Sequence, residues 1–342
     1  MTTARPTLIE VAEHAGVSKS TASLALRGAP VSVEARERVH QAASELGYVY
    51  DRAAAAMRGA RSGTIGLIVF DLANPFYSEL AAGVSEGLEA DGALVLIADS
   101  QDDRDRQSRI LARMREHRLD GLILCAAAGS TAADLRAQIP AGLPLVQMLR
   151  RVDELASDYA GVENAPGMRA IGDHLIALGH RHIAFAGHTA ETSVQRERSA
   201  GLGQAMAAAG LAPPVTIACA PSLAGGLAAA EALFALTPRP TALVCFNDIV
   251  AIGAALALAQ HGLTPGRDLS ITGFDDIMEA ALRTPALTTV ASEARGLGRK
   301  AAELILDRLR LPEAPAQAAL QPARLVVRST TGAPSANGPL HV

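Results

Sequence analysis

The chain has 342 residues, with 49% hydrophobic and 19% charged side chains, so it can form two or three domains and bury their cores. This composition excludes a largely disordered chain and a coiled-coil rod. The first eight residues, MTTARPTL, contain no apolar signal region, and no apolar run reaches the roughly 18 residues that a membrane span needs. We therefore expect a cytoplasmic protein without a membrane partner. The net charge is −4, but residues 1–62 hold eight basic and six acidic side chains, so the positive charge is local to that end.

Residues 1–50 contain three short helical patterns and no strand pattern. Thr7 and Glu10 form a capping-box sequence at the start of the first helix, and Gly16 ends it because glycine adopts positive φ without strain. Ser18 is placed to cap the second helix. The three helices are expected at residues 8–15, 19–26 and 33–46. Two short helices across a tight turn predict a helix-turn-helix; a plain three-helix bundle or a partner-docking module is the alternative.

The next segment, DRAAAAMRGARSG at residues 51–63, is rich in alanine but too short for a stable isolated helix. We expect it to become helical only against a partner. Arg52 and Arg58 add positive charge, and Met57 is the one large apolar side chain in the segment. Such a helix suits insertion into the minor groove of DNA, and an alanine-rich linker is the alternative.

From Thr64 onward, short apolar runs alternate with longer stretches of helical period, which is typical of parallel α/β folds. Strands are expected at 64–70, 93–99, 120–126, 144–149, 182–187, 241–246, 269–274 and 325–330. Helices are expected at 75–91, 104–118, 166–178, 195–209, 223–236, 249–261 and 293–309. Some 270 residues exceed one doubly wound unit, so the pattern predicts two similar lobes with doubly wound parallel sheets. A ligand would then bind in the cleft, beyond the carboxyl ends of the strands.

Several longer stretches occur in a fixed order: TLIEVAEHAGVSKSTASLALRG, VSVEARERVHQAASELGY, TIGLIVFDLANPFYSELAAGV, HLIALGHRHIAF, RPTALVCFNDIVAIGAALAL, LSITGFDD, LTTV and LVVRST. With these stretches, nearly the whole chain resembles the lactose-repressor/galactose-repressor (LacI/GalR) family of bacterial transcription factors. The resemblance implies an all-α helix-turn-helix domain followed by a bilobed α/β domain like the periplasmic sugar-binding proteins. It also implies a homodimer, an effector in the cleft, and paired hinge helices in the minor groove of a roughly palindromic operator, with a repressor as the expected type.

The expected domain boundaries follow from the motifs and the resemblance. The helix-turn-helix domain takes residues 1–50, the hinge 51–62 and the bilobed domain 63–332, with a flexible tail at 333–342. Family crossovers resemble stretches near 159–163, 289–293 and 322–325, so each lobe is built from two pieces of chain. Lobe one is expected at about 63–161 and 292–322, and lobe two at about 162–291 and 323–332.

The DNA-contacting residues are expected at the amino end of the second helix and in the hinge. Lys19 can donate to guanine O6 and N7, and Ser20 is indifferent to the base. Three neighbouring hydroxyl side chains are expected to contact phosphates: Ser18, Thr21 and Ser23. The family's wedge position falls on Met57, with Arg52 and Arg58 beside it. Arg27 stands where the family commonly has asparagine, so the operator sequence is not transferable from relatives.

The effector-binding residues implied by the family motifs are Asn74, Phe76, Arg198, Asn247 and Asp275. Together they can hold hydroxyl groups and one apolar ring face, so we expect a sugar or a sugar derivative. Four of them have a structural alternative: Asn74 and Asp275 could cap helices, Arg198 could pair with an acid such as Glu197, and Phe76 could be a core residue.

One departure from the family concerns the charge of that effector. The family often has an aspartate after the strand at 144–149, where this chain has Leu149 followed by two arginines, Arg150 and Arg151. This difference leaves room for an acidic sugar.

Motifs for catalysis and for metal binding are weak. The pattern GVSEG resembles a nucleophile elbow, but Ser85 falls inside a predicted helix instead of a strand-to-helix turn. His180 and His182 have no carboxylate or cysteine nearby in sequence, and the three cysteines are expected to be buried thiols. We therefore expect a protein that is not an enzyme and needs no cofactor or metal. The alternative is a cytoplasmic solute-binding protein, or a sugar-converting α/β enzyme, with an unrelated helical cap.

Overall fold

The structure is a computed structural model that describes residues 6–49 and 61–335. The chain divides into two compact units at the bond between Ser62 and Gly63, and each unit has a hydrophobic core of its own. The hinge predictions for Arg52, Met57 and Arg58 lie outside the described residues. Within the described ranges, no helix is both long enough and apolar enough to cross a membrane.

The amino-terminal unit contains three helices, α1 (Leu8–His14), α2 (Lys19–Leu26) and α3 (Val33–Leu46). Both hydrogen bonds of the capping box are present: Glu10 N donates to Thr7 Oγ1 over 3.3 Å, and Thr7 N donates to Glu10 Oε2 over 2.6 Å. Gly16 has φ of 63°, which lets the chain turn sharply between α1 and α2. The buried core consists almost entirely of small side chains: Val11, Ala12, Ala15, Ala22, Ala25, Val39, Ala42 and Ala43. These small side chains allow the three helices to approach closely.

Lobe one of the larger unit is a six-stranded parallel sheet in the order β11-β5-β4-β3-β1-β2. Its strands are β1 (Thr64–Val69), β2 (Leu94–Asp99), β3 (Gly121–Leu124), β4 (Leu145–Met148), β5 (Asp158–Val162) and β11 (Ala318–Gln321). Its helices are α4 (Pro75–Glu89), α5 (Arg104–Glu116), α6 (Ala132–Gln138) and α12 (Ala294–Arg310). The central strands are buried along almost their whole length because helices cover both faces of the sheet.

Close packing of α12 against α4 holds the late segment of the chain in lobe one. A Cβ atom at Gly83 of α4 would lie 2.1 Å from the carbonyl oxygen of Arg295, and one at Gly298 of α12 would lie 2.2 Å from the carbonyl oxygen of Leu80. Only glycine fits at these two positions, since the two helix backbones touch there.

Lobe two is a four-stranded parallel sheet in the order β7-β6-β8-β9, beside an antiparallel pair formed by β10 and β12. Its strands are β6 (Ile183–His188), β7 (Val215–Cys219), β8 (Ala242–Cys245), β9 (Ser270–Thr272), β10 (Thr289–Ala291) and β12 (Arg324–Val326). Its helices are α7 (Asn164–Ala177), α8 (Ser193–Ala208), α9 (Leu223–Phe234), α10 (Asp248–Gln260) and α11 (Met278–Leu282).

The chain passes between the lobes three times. It leaves lobe one after β5, returns between β10 and α12, and enters lobe two again between β11 and β12. The predicted architecture, a helix-turn-helix unit and two doubly wound parallel sheets, is confirmed. Six elements were not predicted: the strands β5, β7, β10 and β11 and the short helices α6 and α11.

Candidate DNA-binding surface and effector cleft

The amino end of α2 presents a cluster of hydroxyl groups and one lysine. Ser18 caps the helix, its Oγ accepting from Thr21 N over 3.1 Å. The same Oγ lies 2.8 Å from the hydroxyl oxygens of Ser20 and Thr21. Lys19 and Ser20 are exposed, whereas Thr21 and Ser23 are half-buried. The end of α2 therefore offers exposed donors that need little desolvation to reach a nucleic acid.

Arg27 follows the last residue of α2 and is exposed. Its Nε donates to the carbonyl oxygen of Ser23 over 3.2 Å, so the side chain lies back along its own helix. This position is at the opposite end of α2 from Lys19.

Four of the predicted effector residues lie where strands or helices end at the cleft, and two of them also cap helices. Asn74 Oδ1 accepts from Phe76 N over 3.1 Å at the start of α4, and Asn247 Oδ1 accepts from Val250 N over 3.0 Å at the start of α10. Phe76 itself is buried, and its ring meets the Tyr77 ring edge-on. Asn74 therefore caps a helix and Phe76 is a core residue, as their structural alternatives predicted. Both residues also line the cleft.

Arg198 lies at the centre of the cleft and is buried. Its Nε donates to Asn164 Oδ1 over 3.0 Å, and its Nη1 donates to the carbonyl oxygen of Phe246. Its Nη2 lies 3.4 Å from Asp275 Oδ1, which is long for a hydrogen bond. The guanidinium carbon lies 3.8 Å from the ring centre of Phe274. Burial lowers the pKa of Arg198, and the charge of Asp275 opposes this.

The suggested pairing of Arg198 with Glu197 is absent from the described contacts of Arg198. Glu197 Oε2 instead accepts from Asn164 Nδ2 over 2.8 Å, so Asn164 connects the two side chains.

Asp275 does not cap a helix, since α11 begins after Ile277. It has φ of 119°, in the region that favours glycine, and its N–H donates to Val290 O over 2.8 Å. Burial raises the pKa of Asp275, with Arg198 acting in the opposite direction. The strained backbone and the buried charge both indicate that this carboxylate is held for a specific contact.

Asp248 holds the segment that carries Asp275, and sequence analysis missed it. Its Oδ2 accepts from Ile277 N over 2.9 Å, its Oδ1 accepts from Thr289 Oγ1 over 2.5 Å, and its N–H donates to Phe274 O. Asp248 is fully buried, and burial together with the neighbouring Asp275 raises its pKa well above the usual range. The FND sequence after β8 was a signal for it, because Asn247 and Asp248 are adjacent.

A second buried arginine, Arg150, lies in lobe one and is paired inside the protein. Its Nη1 and Nη2 donate to the two carboxylate oxygens of Asp102, and its Nη1 also donates to Ala126 O over 3.2 Å. Its guanidinium carbon lies 3.8 Å from the ring centre of Phe70. Burial alone would raise the pKa of Asp102, but the nearby His188 ring and the Arg150 guanidinium hold it at about 2. Arg150 is therefore neutralised by a permanent carboxylate.

Aromatic side chains are concentrated at the cleft. The chain has six Phe, four Tyr and no Trp, and four of these ten rings line one enclosed cavity: Phe70, Phe76, Tyr77 and Phe246. This inner cavity also contains Arg150, Arg198, Asn247 and Asp275, and its volume is about 30 Å³. That is the space of about one water molecule.

An outer cavity of about 300 Å³ adjoins the inner one and opens between the lobes. It shares Phe70, Tyr77, Phe246 and Asn247 with the inner cavity. Its remaining lining residues are Asp71, Ala73, Asn74, Asp99, Gln101, Asp102, Pro221 and Ser222. The two cavities together bring all five predicted effector residues to one cleft.

Two larger hollows lie elsewhere. One, of about 350 Å³, is beneath α5 near Leu119 and Pro144, at the amino ends of β3 and β4. The other, of about 570 Å³, lies on the far side of Phe76 and Asp275, against α11 and α12. The inner and outer cavities, in contrast, lie at the carboxyl ends of strands from both lobes, which is where ligands bind in sheets of this kind.

The residues considered for catalysis or metal binding lie in a helix or in the core of the protein. Ser85 lies inside α4. His180 is buried, and its ring nitrogens form hydrogen bonds with Thr241 Oγ1 over 2.8 Å and with Ser270 Oγ over 3.0 Å, so it is a core residue. The three cysteines are buried and free, and no group of metal-ligating side chains occurs within residues 6–49 and 61–335.

Comparison with known proteins gives matches to both units. A family described as bacterial regulatory proteins, lacI family, matches residues 7–51, and a periplasmic binding protein-like domain matches residues 172–331. The maltose regulon regulatory protein MalI of Escherichia coli (strain K12) is 32% identical over 334 residues, covering 94% of this chain and 97% of that protein. The ribose operon repressor of Haemophilus influenzae (strain ATCC 51907 / DSM 11121 / KW20 / Rd) is 33% identical over 309 residues, covering 90% and 92%.

Among solved structures, the lac repressor dimer bound to operator and the anti-inducer ONPF matches with a TM-score of 0.83 and 28% identity, covering 96% of this chain and 100% of that chain. These proteins are transcriptional regulators, and they match the chain across both units. The predictions of a DNA-binding regulator and of a protein that is not an enzyme are therefore confirmed. The chain belongs to the LacI family of bacterial regulatory proteins.

Proposed function

We propose that the protein is a cytoplasmic transcriptional repressor that binds a roughly palindromic operator as a homodimer and whose DNA affinity is set by an uncharged, sugar-like effector. One observation carries this proposal: a helix-turn-helix with an exposed lysine and serine is joined to a bilobed domain with a polar, aromatic-lined cleft. The relatives support it, since one was solved with operator DNA and another represses a ribose operon.

The proposed division of labour follows the chain. Residues 1–50 bind the major groove, residues 51–62 form the hinge, and residues 63–332 bind the effector and dimerise, before a tail at 333–342. We assign base contacts to Lys19 and Ser20. The proposed backbone and minor-groove contacts are Ser18, Thr21, Ser23, Arg27, Arg52, Met57 and Arg58.

The charge of the cleft supports an uncharged effector. Both buried cations are already occupied, Arg150 by Asp102 and Arg198 by Asp275, Asn164 and a carbonyl oxygen. The outer cavity adds Asp71 and Asp99 and has no basic side chain among its lining residues. An anionic effector would lose its hydration and enter a site with excess negative charge. Both the desolvation and the repulsion cost free energy. The acidic sugar suggested by Arg150 in the sequence is therefore disfavoured.

Exposed apolar side chains support the homodimer. Strand β2 is an edge of the lobe-one sheet and exposes Leu94 and Ile97. In lobe two the exposed large apolar residues include Leu223, Leu256, Met278 and Leu282. Residues just beyond β2 and just before Leu223 line the same outer cavity, so the β2 edge and Leu223 lie beside the same opening of the cleft. Exposed edges and apolar patches of this kind are typically covered by a partner, here a second copy.

The test of the regulator is selection of genomic DNA fragments by the purified full-length protein at moderate salt. We expect enrichment of one palindromic motif of about 14–20 base pairs, since two half-sites are read one helical turn apart. A double variant, Lys19→Ala with Ser20→Ala, should lose the enrichment. Lys300→Ala removes the chain's other lysine, which is exposed in α12, and serves as the matched control. Equal enrichment by the double variant and the wild type would contradict the proposal.

The effector class is tested by titrating neutral sugars and their carboxylate counterparts into the protein bound to the recovered operator. We expect operator affinity to change with a neutral sugar and not with the matching uronate or aldonate. The direction of the change shows whether the effector releases the operator or promotes its binding. A uronate that acts more strongly than its neutral partner would overturn the charge assignment while leaving the regulator intact.

A further inference from the structure

The two lobes are joined by polar contacts along one side of the cleft. Three contacts form this inter-lobe strip: His188 Nε2 to Asp102 Oδ2 at 3.5 Å, Arg151 N to Ser193 Oγ at 2.9 Å, and Arg196 Nη2 to Asp153 Oδ2 at 3.7 Å. Lobe one contributes the segments after β2 and β4, and lobe two contributes the end of β6 and the start of α8. Of the three, only the Asp102–His188 contact is largely buried on both sides.

The ring of His188 is fixed by contacts within lobe two. Its Nδ1 accepts from Ala190 N over 2.8 Å, and its backbone N–H donates to Gln195 Oε1 over 2.8 Å. The ring also meets Phe246 edge-on, with 5.5 Å between the centroids. Because Nδ1 accepts a hydrogen bond, the proton of a neutral imidazole is on Nε2. His188 therefore points an N–H group toward lobe one.

That N–H group has an acceptor placed to receive it. The Nε2 atom is buried and has no hydrogen-bond partner of normal length among the described residues, and Asp102 Oδ2 lies 3.5 Å away. A closing movement of a few tenths of an ångström would give a hydrogen bond of ordinary length. A buried donor that lacks a partner costs free energy, so this movement is favourable.

Asp102 is held in place independently of His188. Arg150 binds both of its carboxylate oxygens, and Ala128 N donates to Oδ1 over 2.8 Å. Its backbone lies in the left-handed region, with φ of 56°. Its pKa of about 2 keeps it ionised at neutral pH. A fixed anionic acceptor in one lobe thus faces a fixed donor in the other.

We propose that Asp102 and His188 form a latch that holds the lobes together over the inner cavity without an effector, with Arg150 as the residue that positions Asp102. The inner cavity has space for about one water molecule, so an effector in the outer cavity contacts Arg198 only when the lobes separate. The latch therefore sets how often the cleft opens, and with it the protein's sensitivity to its effector. This inference concerns the lobes alone and holds for any effector.

The test is hydrogen exchange of the Arg151 amide in the full-length, effector-free protein. This N–H donates across the cleft to Ser193 Oγ, so its exchange reports separation of the lobes. Two variants separate the two ring nitrogens of His188. The side-chain amide introduced by His188→Asn reaches only the Ala190 side, whereas the longer one introduced by His188→Gln extends to the position of Nε2. We expect His188→Asn to speed Arg151 exchange by about tenfold, since the Nε2 donor that faces the Asp102 carboxylate is lost, and His188→Gln to restore most of the protection.

Two controls distinguish loss of the Asp102–His188 contact from general destabilisation. His117→Asn changes an exposed histidine at the end of α5 and should leave Arg151 exchange unchanged. Amides of β3, in the core of lobe one, should exchange at the wild-type rate in all variants, which excludes general destabilisation. Wild-type exchange at Arg151 as fast as in an unfolded peptide would overturn the latch. So would equal effects of the asparagine and glutamine variants, because only ring packing would then matter.

Discussion

The polar side chains at the start of α2 and those in the effector cleft are built in opposite ways. Ser18 is exposed and bonds to a residue three positions away, whereas Arg198 is buried and its partners lie 34, 48 and 77 positions away. The proposed DNA-binding residues are therefore a local feature of one helix end, and the proposed effector-binding residues are part of the core of the fold. A change of operator specificity should cost little stability, but a change of effector specificity should cost much.

The largest expected effect is at Arg198. Replacing Arg198 with alanine leaves the Asp275 carboxylate and the Phe246 carbonyl without their partner, and breaking a buried pair costs about 3–5 kcal/mol of unfolding free energy. Effector binding should be lost as well. Chemical denaturation and calorimetry with a sugar that shifts operator affinity measure the two effects.

Arg196→Ala is the matched control for this prediction. Arg196 lies on the same helix, is exposed, and makes one long ion pair with Asp153, so its loss should change stability by less than about 1 kcal/mol. Similar losses of unfolding free energy for both variants would show that Arg198 contributes no more to the stability of the core than the exposed Arg196 does.

The next effect concerns Lys19, and here stability should not change. We expect Lys19→Ala to weaken operator binding by about 1–3 kcal/mol and to relax the preference at one base pair in each half-site, because a base-edge contact is removed. Fluorescence anisotropy with single-base variants of the operator measures this. An equal loss on every operator variant, with a shallower salt dependence, would instead assign Lys19 to a phosphate.

The difference between local and distant contacts also explains what the sequence could predict. The ends of α1, α2 and α3 were predictable because caps and glycines act within about four residues. The parallel sheets were predictable from continuous apolar strands. The short helix α6 was missed, although Thr131 followed by Asp134 is a capping signal that the structure uses. Strand β7 lies at a sheet edge with alternate residues exposed, so its apolar pattern is weak.

The cleft shows where sequence reasoning ends. The family motifs predicted that Arg198, Asn247 and Asp275 lie in one cleft, and the structure shows which residues they contact there. Asp102 and Arg150 are 48 residues apart, and no local pattern indicates that they pair. Without that contact, an arginine at the cleft suggests an anionic ligand; with it, the same arginine is neutralised.

Asp102 should contribute to stability in a pH-dependent way. Its folded-state pKa of about 2 lies below the usual aspartate value, so its contribution is present above about pH 4 and is lost as the pH falls toward 2. We expect Asp102→Asn to lower the unfolding free energy by roughly 1–2 kcal/mol at pH 7 and by about half as much at pH 3. Urea denaturation at both pH values measures the difference.

Asp153→Asn is the control for Asp102→Asn, because Asp153 belongs to the same inter-lobe strip but is exposed. Its effect should be small at both pH values. A cost for Asp102→Asn that is equal at pH 3 and pH 7 would mean that the carboxylate charge is not what stabilises the lobe.

The smallest effect separates helix capping from DNA contact at Ser18. Ser18→Ala removes a cap and should cost about 1 kcal/mol of local stability, and Ser32→Ala removes the equivalent cap of α3 at the same cost. Hydrogen exchange of the first amides of α2 and α3 measures both losses. If Ser18 also contacts a phosphate, only Ser18→Ala weakens operator binding beyond the loss of stability. Equal operator affinities of the two variants would assign Ser18 to capping alone. The hydroxyl of Ser18 would then stabilise α2 without contacting a phosphate.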